Sequence, residues 1–72
     1  MAVTKAEEEL FYVVKGVGGS FQTALFELIC KADRPNQERL RLAFPSFVDV
    51  VIRYQTERGY WEDLQKELKD KL

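Results

Sequence analysis

Seventy-two residues with 11 Lys+Arg against 12 Asp+Glu, one cysteine and no histidine exclude more functions than they suggest. The formal charge of −1 provides no global field toward nucleic acid or an anionic membrane, and a lone cysteine forms no internal disulfide. Without histidine the chain lacks the commonest general base and the commonest metal ligand, so no catalytic site, cofactor or metal centre is expected.

The length suits one domain, residues 1–72, with an expected stability of only a few kcal/mol. At 46% hydrophobic and 12% aromatic, the composition is that of a packed globule rather than a disordered chain. No basic-then-apolar signal heads the sequence and no apolar stretch approaches a membrane span, so a cytoplasmic setting is expected. The charge is uneven. Arg34, Arg39, Arg41, Arg53 and Arg58 all fall between residues 34 and 58, giving that segment +2 and the remainder −3.

Five helical signals follow one another. Thr4-Lys5-Ala6-Glu7 has the form of a capping box and predicts a helix over Lys5–Lys15, with Val3, Ala6, Leu10, Val13, Val14 and Val17 at helical spacing and Gly16 as its stop. Ser20 as N-cap predicts a second helix to Ala32. Its stripe of Phe21, Ala24, Leu25, Leu28, Ile29 and Ala32, with Phe26 and Cys30 on the other side, predicts a central helix covered from two directions. Asp33-Arg34-Pro35 starts a third helix ending near Phe44, where Pro45 pushes its predecessor out of helical geometry. Pro45 opens a fourth, carrying Phe47, Val48, Val50, Val51, Ile52 and Tyr54, and Gly59 separates it from a fifth that starts at Tyr60. Leu25, Leu28, Phe47, Val51 and Leu64 are the expected core. The fold is thus an all-α bundle of four to five short helices. Its alternative is a small α+β domain, because Leu10–Val14 and Val48–Ile52 also read as buried strands.

Several features invite a chemical reading. Cys30 has no histidine partner and is expected to pack as a small hydrophobe under a neighbouring helix. Glu7, Glu8 and Glu9 read as a solvated first turn. Gly16-Val17-Gly18-Gly19-Ser20 runs into a helix N-terminus, as phosphate loops do. Such a loop would carry a lysine beside the serine, a place that Phe21 occupies here, and the expected role is a tight turn. Tyr54, Tyr60 and Trp61 flank the last turn and are expected to pin two helices together. The helix–Asp33-Arg34-Pro35–helix segment admits a helix-turn-helix reading in which Asn36, Gln37, Arg39 and Arg41 would meet bases or phosphates. On the wheel of the third helix, Leu40, Ala43 and Phe44 face inward and Leu42 falls opposite. Arg39, Arg41 and Leu42 are therefore the candidate partner-binding residues, an apolar anchor flanked by arginines.

Val14-Lys15-Gly16-Val17-Gly18-Gly19-Ser20-Phe21, Lys31-Ala32-Asp33, Phe44-Pro45 and Gly59-Tyr60-Trp61 together resemble small uncharacterised bacterial proteins met in phage-like or mobile-element contexts. The resemblance covers about two thirds of the chain and implies an accessory or regulatory protein, with no activity or site residues attached. The expected function is a non-enzymatic protein-binding module whose partner is another protein. A small DNA-binding regulator of helix-turn-helix type is the alternative.

Overall fold

A computed structural model describes residues 3–69, which hold five helices: α1 (Lys5–Val14), α2 (Ser20–Lys31), α3 (Arg34–Ala43), α4 (Pro45–Thr56) and α5 (Tyr60–Leu68). Both segments with a strand alternative are helical, and no strand occurs among the described residues, so the fold is all-α. Packing overrides the β-branched composition there: Val48, Val50 and Val51 are all buried among neighbouring helices.

Local chemistry accounts for the helix ends. The capping box at α1 is complete, with the Thr4 N–H donating to Glu7 Oε1 (3.0 Å) and the Glu7 N–H to Thr4 Oγ1 (3.2 Å). At its other end Gly16 takes φ 86°, the Val17 N–H reaches Tyr12 O and the Gly16 N–H reaches Val13 O, which is a Schellman stop. Val17 consequently lies beyond the helix and is exposed. Gly18 passes so close to α1 that a Cβ there would sit 2.8 Å from Val13 Cγ2. Gly19, not Ser20, is the N-cap of α2, and Ser20 is its first helical residue. Asp33 caps α3 by accepting from the Asn36 N–H, and Pro35 and Pro45 both stand in the first turns of their helices.

The core corrects the expected centre of the molecule. It is α4, not α2, that touches all four other helices, because Phe47, Val48, Val50 and Val51 bury a broad arc of its surface. Around it stand Ala6, Leu10 and Phe11 from α1, Leu25 and Ile29 from α2, and Tyr60, Leu64 and Leu68 from α5. Leu25, Phe47, Val51 and Leu64 are core as expected. Leu28 is not: it is 47% exposed, since α2 is an outer helix and only its Leu25–Ile29 edge turns inward. Cys30 is likewise exposed rather than packed under a neighbour. The aromatic pin forms, with Tyr54 and Trp61 edge to face at 5.5 Å and Phe11 5.9 Å from Trp61. No helix among the described residues is long and apolar enough to cross a membrane.

Candidate functional site

Two surfaces compete for attention, and they differ in whether their polar groups are already matched. The larger is a groove of about 890 Å³ between α1, α4 and α5, floored by Ala6, Val50 and Leu64. Three of its polar residues, Glu7, Arg53 and Tyr60, serve one another. The Tyr60 hydroxyl donates to Glu7 Oε2 at 2.7 Å, Arg53 Nη1 lies 3.9 Å from the same oxygen, and the guanidinium stacks 4.2 Å above the Tyr60 ring. Arg53 also grips Glu57 through Nε.

The titration of that cluster follows its geometry. Burial pushes the Glu7 carboxyl up, but the Thr4 N–H, the Tyr60 and Thr4 hydroxyls and the Arg53 charge together hold it below 4.5. Burial, then the bond and charge of Glu7, push the Tyr60 phenol well above its ordinary range. An ionised carboxylate that already accepts from a phenol and a backbone amide has little left to offer a ligand. The cluster is a strut joining α1, α4 and α5. In the sequence Glu7 reads as a capping residue in a solvated first turn. It is instead half-buried against α4 and α5, a placement the sequence does not show because nothing in residue spacing links position 7 to positions 53 and 60.

The second surface is built from α2 and α3. Only Asp33 and Ala32 separate these helices, yet α3 rests on α4 rather than on α2. The gap leaves a shallow groove of about 380 Å³ lined by Leu28, Ala32 and Leu40, with Lys31, Asp33, Asn36 and Arg39 at its edges. Few ties hold α3 in place. Gln37 Nε2 donates to Ile29 O at 3.3 Å, Arg41 pairs with Asp49 of α4 and approaches Glu38 at 3.7 Å, and Leu40 and Phe44 pack on the core. No residue of α3 is fully buried.

The three candidate partner-binding residues therefore separate. Leu42 is 87% exposed, the most exposed of the large hydrophobic residues. Arg39 is exposed one turn before it and donates only to the Asn36 side chain, at 2.9 Å. On the helix surface Arg39 thus stands between Leu42 and the groove. Arg41 points elsewhere, its charge engaged by Asp49 and Glu38, and it tethers α3 to α4. Leu28 and Lys31 belong to the surface and were missed in the sequence, where Leu28 completes an apolar stripe and reads as core.

Cys30 has its thiol pushed up by partial burial and by Glu27, which disfavours the nucleophilic thiolate. No group of three or more His, Cys, Asp or Glu among the described residues is arranged to hold a metal ion. No family model matches the chain, and no curated protein or solved structure matches it either, so the resemblance carried by Val14–Trp61 receives no support from them.

Proposed function

We propose that the chain is a non-enzymatic protein-binding module, an accessory protein of the phage or mobile-element kind that the Val14–Trp61 resemblance implies. The observation that carries this reading is Leu42, 87% exposed on a helix that buries none of its residues, with exposed Leu28 across the adjoining groove. A solitary surface leucine is ordinary. Two of them beside an apolar groove with arginine and lysine at its edge have the composition of an interface: apolar anchors within a charged rim.

The helix-turn-helix alternative draws on Arg34, Asn36 and Arg39, all exposed on α3. It is the weaker reading. α3 leans on α4 instead of α2, and the Asn36 amide holds Arg39.

Affinity capture from the native host tests the proposal, with the unaltered chain, Leu42→Asp and the surface control Gln55→Glu as baits. A protein retained by the first and last but lost with Leu42→Asp is the expected result. Undiminished capture by Leu42→Asp removes the face from the account. Strongly salt-dependent binding to mixed duplex DNA, with no protein captured, transfers the function to the alternative.

A further inference from the structure

Resting on that reading, we infer that the α2–α3 groove takes an acidic peptide segment bearing an apolar side chain next to its carboxylates. The inference starts from where positive charge is left unmatched. Arg41 and Arg53 are engaged by Asp49 and by Glu57 and Glu7, and Lys15 donates to Gln65 while facing the Phe11 and Trp61 rings. The larger groove also carries Lys5 and Lys66, but Glu7, Asp49, Asp63 and Glu67 outnumber its cations. The α2–α3 groove has the opposite balance: Lys31, with no ion-pair or hydrogen-bonding partner among the described residues, and Arg39, held only by a neutral amide, face the single carboxylate of Asp33.

Asp33 caps α3 through the Asn36 N–H and offsets one of the two cations, while Glu38 lies on the Arg41 side of the helix, so the lining keeps one net positive charge. Between Lys31 and Arg39 lies the apolar floor of Leu28, Ala32 and Leu40. A ligand matching both features needs carboxylates for the rim and an apolar side chain for the floor. A phosphate backbone supplies the first without the second, and a purely apolar partner leaves the cations desolvated and unpaired.

The test is selection of a random-peptide library on the folded full chain, followed by titration of a labelled selected peptide. Expected are peptides that place Asp or Glu beside Leu, Phe or Trp. Their dissociation constant should rise by about tenfold or more in Leu28→Asp and in the Lys31→Glu/Arg39→Glu double variant, the scale of losing an interfacial anchor. Asp63→Asn, at the edge of the α1/α4/α5 groove, should leave binding unchanged. Circular dichroism of each variant separates lost binding from lost fold, and Arg39→Gln serves if a charge reversal unfolds.

Enriched peptides without acidic residues overturn the inference, as does binding that survives both groove variants. In those cases protein binding itself stands and only its face and partner class fall. No enrichment at all sinks both the inference and the function it rests on. Self-association that Leu28→Asp abolishes would make a second copy of the chain the occupant, and would equally overturn the acidic-peptide assignment.

Discussion

Leu28 and Ile29 are neighbours in sequence with opposite fates. Ile29 is fully buried and Leu28 is about half exposed, although both lie on the apolar arc of α2. Periodicity identifies an apolar arc, but it does not say how much of that arc the rest of a small chain can cover. Ile29→Ala should cost about 2–5 kcal/mol in urea unfolding, while Leu28→Ala should cost at most about 1 kcal/mol. A larger loss at Leu28 than at Ile29 would reverse the assignment of faces. The Glu7–Tyr60 strut gives a second prediction, through pH. Because the folded-state pKa of Glu7 lies below 4.5, its stabilisation is complete above that value and is lost as pH falls through the folded-state pKa. The Tyr60 phenol, raised in the folded state, acts in the other direction: its share is present below about pH 10 and declines as pH rises beyond it. Tyr60→Phe should cost about 1–2 kcal/mol near neutrality and shallow the alkaline loss of stability. An unchanged pH–stability profile in that variant would show that the 2.7 Å bond contributes nothing.

Helix boundaries were legible in the sequence because single residues enforce them. Pro35 and Pro45 start α3 and α4, the Thr4–Glu7 box starts α1, and positive φ is taken by Gly16 at the end of α1 and by Gly59 at the N-cap of α5. The N-cap of α2 falls at Gly19, one position before the expected Ser20, because both residues suit an N-cap. The glycine-rich turn divides further. Gly18→Ala should destabilise by about 1–3 kcal/mol, since its Cβ would strike Val13, whereas Gly19→Ala meets nothing and should cost less, about 0.5 kcal/mol for a poorer N-cap. Equal melting temperatures for the two variants would contradict that account. α3 is the element most dependent on its cap and its ties to α4, because it buries no residue of its own. Its amides should exchange with deuterium faster than those of α4, and Asp33→Ala should accelerate them further. Protection in α3 equal to that of α4 would mean that the helix is held by more than Asp33, Gln37, Arg41 and its two half-buried apolar residues.

The whole molecule is an α4-centred bundle with a radius of gyration of 11.8 Å, near the roughly 11 Å of a compact chain this long. Its all-α class followed from patterning and punctuation, whereas the identity of the hub did not. α2 and α4 are both broadly apolar, and only tertiary packing decides which is surrounded. The segmental excess of arginine was also visible beforehand, but it concealed a division: Arg41 and Arg53 hold helices together, while Arg34 and Arg39 remain at the surface. That division leaves on the outer faces of α2 and α3 the exposed leucines and cations on which the proposed function rests. The central claim is therefore that Leu28 and Leu42 are surplus to folding. The unfolding free energy of the Leu28→Asp/Leu42→Asp double variant in urea tests it most directly. A value within about 1 kcal/mol of the unaltered chain is predicted, and a loss of about 3 kcal/mol or more would contradict it by placing those leucines in the core.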